Sequence, residues 1–395
     1  MNDSKFHRDF IATHLKSVPR SGIRDFFEIV STRKDIISLG IGEPDFTTPW
    51  HIREAAMYAL ERGATAYTAN LGLLELRQRI AAYTRASFGV AYDPDKEILI
   101  TVGVSEALDL ALRATLNPGD EVLYHEPCYV SYAPVVRFAH GVPVPVPTSR
   151  ENGFRLNRAM LEAHATPRTR ALLLNYPNNP TGATMTREDA RDIAAFARER
   201  DVLVVTDEIY SELTYEGDRC SIAAEPGMRE RTVFLNGFSK AWAMTGFRIG
   251  YACAPPDLLE AMMKIHQYTM LCAPILSQKA AIEALRNGEA DLTAMRDAYR
   301  QRRNWLHKTL EEIGIPCPRP QGAFYAFPYI GNFGLSSRDF ALRFLEEENV
   351  ACVPGSAFGA CGEGYLRCAY AADLDDIKEA LRRLASFTSR LTPSS

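Results

Sequence analysis

Between about residues 95 and 255, short apolar runs rich in β-branched residues alternate with longer amphipathic stretches. Strands separated by helix-length segments do not pair as hairpins. They pair in parallel through crossover helices, which cover both faces of the sheet and leave its strands apolar throughout. Strands are expected at 98–101, 121–124, 171–174, 203–206, 233–235 and 249–253. Between the third and fourth lies TREDARDIAAFARER, in which Thr186 can cap a helix with Asp189 three residues on, while Ile193, Phe196 and Ala197 share one face. The expected class is α/β, a mostly parallel sheet flanked by helices.

The remainder reads differently. A long charged helix is expected over 291–312, followed by short strands alternating with helices such as SSRDFALRFLEEEN, which suggests a smaller α+β unit. Residues 1–45 show no βαβ pattern and read as an arm and first strand packing on that unit. The expected division is therefore 1–45, arm and part of the small domain; 46–290, large domain; and 291–395, the rest of the small domain. With 45 basic and 49 acidic residues the formal charge is −4, so no broad basic footprint for nucleic acid is expected. No run of 18 apolar residues occurs and the start, MNDSKFHRDF, has no secretory pattern, so a cytoplasmic chain without a membrane segment is expected. The eight cysteines are scattered, with no CxxC pair and no histidine at zinc spacing. They read as reduced thiols with no metal to hold, and Cys128 as a small core residue rather than a nucleophile.

In open parallel sheets ligands bind outside the carboxyl ends of the strands. After 98–101 comes GVSEALDL, where Ser105 opens a helix whose free amides suit a phosphate. After 171–174 comes NYPNNPTG, after 203–206 DEIY, and after 233–235 NGFSKAWAMTGFRIGY. Singly, Asp207 could cap a helix, Tyr210 could line the core and Lys240 could sit in solvent. Together they combine a lysine that desolvation would make nucleophilic toward aldehydes with a carboxylate able to pair with a protonated pyridine nitrogen. Those are the needs of pyridoxal phosphate.

The chain resembles the class I/II aminotransferases of pyridoxal-phosphate fold type I over nearly its whole length. The likeness runs from SLGIGEPDF through TAYTANLGLLELRQRIA, GVSEAL, NYPNNPTG, DEIYSELTY and FSKAWAMTGFRIGY to GAFYAFP, VPGSAFG and GYLRCAYA. It is nearest the branch of aspartate, aromatic and N-acetyl-diaminopimelate aminotransferases. The resemblance implies that Lys240 tethers pyridoxal 5'-phosphate and then shuttles the substrate Cα proton. It implies that Asp207 keeps the pyridine nitrogen protonated, that Tyr210 and Asn179 hydrogen-bond the phenolic oxygen, and that Tyr129 stacks on the ring. Ser105, the amides of Glu106 and Ala107, Arg248, and Tyr67 from a partner subunit would hold the phosphate. Arg367, helped by Gly42 and Asn179, would grip the substrate α-carboxylate. The implied assembly is a homodimer with shared sites, carrying a ping-pong transfer of the amino group to a 2-oxo acid such as 2-oxoglutarate.

One departure is Gly237, where many relatives carry a phosphate-binding serine; a backbone amide is expected to substitute. Lys16, Arg20 and Arg24 near the arm could meet a substrate side-chain carboxylate, or simply be solvated. Two rivals stay open. A carbon–sulfur lyase shares the same lysine and aspartate. A cofactor-sensing regulator needs a DNA-binding module, for which the roughly 40 residues before the first motif leave no space.

Overall fold

The computed structural model describes residues 9–18, 20, 35–217 and 219–391. The first strand, β1 (Ile37–Ser38), belongs to the periphery. The core is a seven-stranded sheet of β2 (Ile98–Thr101), β3 (Glu121–Glu126), β4 (Val142–Pro147), β5 (Thr169–Asn175), β6 (Leu203–Asp207), β7 (Thr232–Gly237) and β8 (Gly250–Cys253), in the order β2-β8-β7-β6-β5-β3-β4. All but β4 and the first two residues of β5 are buried along most of their length, as strands covered on both faces must be. The 187–199 helix that carries the chain from β5 to β6 is capped as its sequence predicts. The Thr186 hydroxyl accepts the Asp189 N–H at 3.1 Å, and Asp189 Oδ2 accepts the Thr186 N–H at 2.9 Å.

Two strands depart from the expectation. β8, expected as one more parallel strand, runs antiparallel to both β7 and β2. A parallel return needs a crossover of a dozen or more residues, usually helical. Residues 238–249 between β7 and β8 instead turn back through a single 3₁₀ turn at Thr245–Phe247. The second departure is β4, whose VPVPVP sequence gave no strand signal because prolines cannot donate to a ladder. The alternation resolves this. The Val142 N–H donates to the Asp120 carbonyl just before β3 and the Thr148 N–H to the Glu126 carbonyl at its end, both at 2.8 Å, so even-numbered positions face the neighbour, and Pro143, Pro145 and Pro147 turn their donorless nitrogens to the open edge.

The remaining strands are β9 (Tyr325–Ala326), β10 (Val350–Ala351), β11 (Val353–Pro354) and β12 (Leu366–Ala369). β1 pairs in parallel with β10, and β12 lies antiparallel between β11 and β9. The Leu39 carbonyl then accepts the Ala369 N–H at 2.6 Å, which binds the early chain to the late chain. Before these strands the 289–312 helix buries Leu292, Met295, Tyr299, Leu306 and Leu310 at three- to seven-residue spacing, one apolar stripe on an otherwise charged helix. Among the described residues no helix is long and apolar enough to cross a membrane.

Candidate active site

The sheet's polarity makes the site. β5, β6 and β7 are parallel and end at Asn175, Asp207 and Gly237, while the antiparallel β8 starts at Gly250, in register with Gly237 and Thr101. The loops after four strands therefore open at one edge, around a cavity of about 450 Å³. Of the residues expected at a site, Gly42, Ser105, Tyr129, Asn179, Asp207, Tyr210, Lys240, Arg248 and Arg367 line it.

Lys240 follows β7 by three residues, and its Nζ donates to the Gly42 carbonyl at 2.7 Å. Burial pushes the ammonium down to about 8, against the opposing field of Glu43 and with the repulsion of Arg367 and Arg248. Asp207, the last residue of β6, is buried. Its Oδ2 accepts the Tyr132 hydroxyl at 2.9 Å and its Oδ1 the Ile209 N–H at 3.3 Å. Burial still outweighs those bonds and holds the carboxyl up at about 6, the signature of an anion short of a cation. Arg367, on β12, is 2% exposed. Its guanidinium donates to Asn179 Oδ1 at 3.1 Å and to the Gly40 carbonyl at 2.6 Å, and its Nε has no partner among the described residues. A buried guanidinium with donors to spare and no carboxylate is built for an anionic ligand.

At the other end Ser105 lies in the first turn of the Gly103–Thr115 helix. The Val102 N–H is taken by Glu106 Oε2 at 2.5 Å, and Glu106 is itself tied to His266 at 2.6 Å. A helix leaves its first four amides without intrahelical partners, here those of residues 103–106. Ala107, expected to contribute an amide, is the fifth; it is buried and does not line the cavity. Arg248 reaches this helix end because Gly103, at φ +73°, has no side chain: a Cβ there would lie 2.7 Å from the guanidinium. At Gly237, where a backbone amide was expected to stand in for a serine hydroxyl, the residue's own N–H donates to Asn236 Oδ1 at 2.6 Å.

Tyr67 does not line its own chain's cavity and is 82% exposed. Lys16 is ion-paired with Asp9. Arg20 lines an adjoining cavity of about 530 Å³ that shares Tyr129, Ser131 and Val135 with the first, and Arg24 lies outside the described residues. Cys128 is buried with its thiol pushed well above the usual range, an inert core residue. Tyr132, three residues beyond Tyr129 in HEPCYVSY, and Tyr325 of GAFYAFP line the cavity without a sequence signal that marks them. Asn175 likewise belongs to the site: its Nδ2 donates to the Asp207 carbonyl at 2.9 Å and its Oδ1 accepts the Asn179 N–H at 3.1 Å. Motif spacing shows none of these, because their partners are brought near only by the sheet.

The geometry defines an α/β enzyme with a depressed-pKa lysine, a buried carboxylate and a guanidinium with donors to spare converging at the sheet's carboxyl edge. Residues 34–384 match the family of class I and II aminotransferases. The chain is 50% identical over 383 residues, 97% of its own length and 99% of the other, to YugH of Bacillus subtilis, whose name assigns it to the aminotransferases without a substrate. It is 45% identical to aromatic-amino-acid aminotransferase 2 of Thermococcus litoralis, over 95% of this chain and 97% of that one. Aspartate aminotransferase from Thermus thermophilus with maleate superposes with a TM-score of 0.91 at 38% identity, covering 96% of this chain and 100% of that one. The chain belongs to the class I and II aminotransferases and is an amino-group-transferring enzyme of fold type I. That family is generally dependent on pyridoxal phosphate.

Proposed function

We propose that the chain moves the α-amino group of an amino acid to a 2-oxo acid such as 2-oxoglutarate in a ping-pong cycle, with pyridoxal 5'-phosphate held in the 450 Å³ cavity. The observation that carries the reading is the convergence of Lys240, Asp207, Arg367 and the Ser105–Arg248 helix end on that one space. The donor set fits the cofactor group by group. Asp207 is a buried carboxyl that gains from a cation such as a pyridinium, and Lys240 has an amine that gives up its proton more readily than an ordinary lysine. The free amides of the 103–115 helix and the Arg248 guanidinium suit a phosphate. When bound, the cofactor supplies an electron sink for the Cα carbanion.

The protein's own work is positioning and proton movement. Arg367 holds the substrate α-carboxylate, with the Asn179 side chain and the backbone near Gly42 beside it. Lys240 Nζ would anchor the cofactor, and its amine is the base that would carry the proton from the substrate Cα. Asp207 would pair with the pyridine nitrogen, Tyr210 and Asn179 would serve the phenolic oxygen, and Tyr129 would lie against the ring. The residues between 46 and 290 act as the cofactor domain, and those from both termini as a smaller domain that closes over substrate and excludes water.

Two chains form a homodimer with composite sites, in which Tyr67 serves the phosphate of the opposite subunit. Its near-complete exposure, together with the exposure of the large apolar side chains Trp50, Met57, Tyr58 and Tyr268, supports that pairing. Eight free thiols fit a cytoplasmic setting. Relatives named for aromatic and for aspartate donors leave the amino donor to experiment. Borohydride reduction and peptide mapping should place the cofactor on Lys240, and a donor panel should transfer amino groups to 2-oxoglutarate. Release of ammonia and pyruvate in place of transfer would assign the site to carbon–sulfur lysis instead.

A further inference from the structure

Tyr325, on β9, is 1% exposed, and its hydroxyl lies 2.9 Å from that of Tyr210. It makes no other hydrogen bond among the described residues. Between two phenols one proton bridges and the other is free, so the donor's identity decides whether Tyr210 has a proton to offer the cavity. The Arg367 guanidinium stands 4.7 Å from the centre of the Tyr325 ring. A cation on that face withdraws electron density, and the Lys240 ammonium stands farther off, 5.9 Å from the centre of the Tyr210 ring, so the Tyr325 hydroxyl is the stronger acid and the better donor. The titration tendencies agree. Burial raises both phenols and the Arg367 charge opposes it in both, while the shared bond holds Tyr325 down and drives Tyr210 further up. The ring has little freedom to turn away. Phe324 packs against it at 4.8 Å between centroids and Tyr210 edge-on at 5.7 Å. Gly42 approaches so closely that a Cβ would lie 2.6 Å from the Tyr325 hydroxyl.

We propose that Tyr325 is a positioning residue for amino-group transfer: its hydroxyl donates to Tyr210, leaving the Tyr210 proton aimed into the cavity, while its ring seats the Arg367 guanidinium. The inference rests on the proposed cofactor, whose phenolic oxygen Tyr210 faces. One side chain then serves both ends of the reacting centre. Chained hydrogen bonds polarise one another, so donation from Tyr325 strengthens donation by Tyr210. Removing it should make the lysine-bound cofactor nitrogen hold its proton to higher pH.

The test is a spectrophotometric pH titration of the cofactor's visible band in the purified holoenzyme. In Tyr325→Phe the midpoint should rise by roughly half to one pH unit, the size expected for one ordinary hydrogen bond. The KM for the amino donor should change less than about twofold, because the ring under Arg367 remains. In a Tyr210→Phe background the same substitution should move the midpoint no further. Incorporating 3-fluorotyrosine at position 325 keeps the packing and sharpens the donor, so its midpoint should fall. A Tyr325→Phe midpoint within about 0.2 unit of wild type, or an equal shift with and without the Tyr210 hydroxyl, overturns the proposal. So does a fluorotyrosine midpoint that fails to fall. A wild-type protein with no titrating band refutes the functional reading itself and takes this inference with it, a failure visible before any variant is made.

Discussion

Lys240 allows a reactivity to be worked from structure and measured. The ordinary lysine value is 10.5, and here burial, with Arg367 and Arg248 and against Glu43 and Asp207, brings Nζ to about 8. Only the unprotonated amine attacks a carbonyl carbon. Well below both values the neutral fraction gains tenfold for each unit the pKa falls, so this drop multiplies it by roughly 300. At pH 7 the neutral fraction rises from about 0.03% to about 9%. The assay is competitive acetylation of the cofactor-stripped protein with trace acetic anhydride, read by mass spectrometry against an added lysine peptide. Labelling of Lys240 should climb about tenfold per pH unit to near pH 8 and then flatten, while the peptide continues to climb toward its own value. Removing the leading opposing field, with Glu43→Gln, should move the midpoint down; Arg367→Gln, which removes a like charge, should move it up. A Lys240 midpoint near 10.5, or the opposite sign in Glu43→Gln, would refute the claim that desolvation and neighbouring cations activate this amine.

If Arg367 grips the substrate α-carboxylate, Arg367→Ala removes one partner of a desolvated charge pair, an effect of roughly 2 to 5 kcal/mol, so kcat/KM should fall by about 30- to several-thousand-fold. The loss should be uniform across amino donors; an effect confined to dicarboxylic donors would move Arg367 to the substrate's far end. If the phosphate site is shared, hybrids of Lys240→Ala and Tyr67→Ala subunits carry one intact site and should recover nearly normal turnover there. A hybrid no better than the mean of its parents would place Tyr67 in its own subunit's packing. His51 sits 3.0 Å from both Glu283 and Asp291, which outweigh burial and raise its pKa. A raised histidine stabilises fully below its unfolded value of 6.5 and loses that contribution as pH climbs through the raised one. His51→Gln should therefore lower the unfolding free energy at pH 6, by less than about 1 kcal/mol because the pair is partly solvated, and not at pH 9, as read from denaturant unfolding. Equal losses at both values would assign His51 a packing role.

The strands and the residues at their ends were legible in the sequence because both are local properties. Apolar runs mark what the sheet buries, and in a parallel sheet the residue after each run is delivered to one edge whatever the loops between do. Asp207 follows from that rule directly, and Ser105 and Lys240 lie a few residues further along the same strand ends. The capping of the 187–199 helix by Thr186 and Asp189 is equally local. What only the tertiary structure decided are contacts between positions far apart in the chain. Asn179 meets Arg367 across 188 positions, Gly42 meets Lys240 across 198, Tyr210 meets Tyr325 across 115, and Tyr132 meets Asp207 across 75. Chain direction at β8 and the strand made of VPVPVP were likewise hidden, since a strand's direction depends on its connection and a proline's cost on which edge its nitrogen faces. The amine of Lys240 was named by its sequence neighbours, but its readiness to react comes from the burial and the charges that the fold arranges around it.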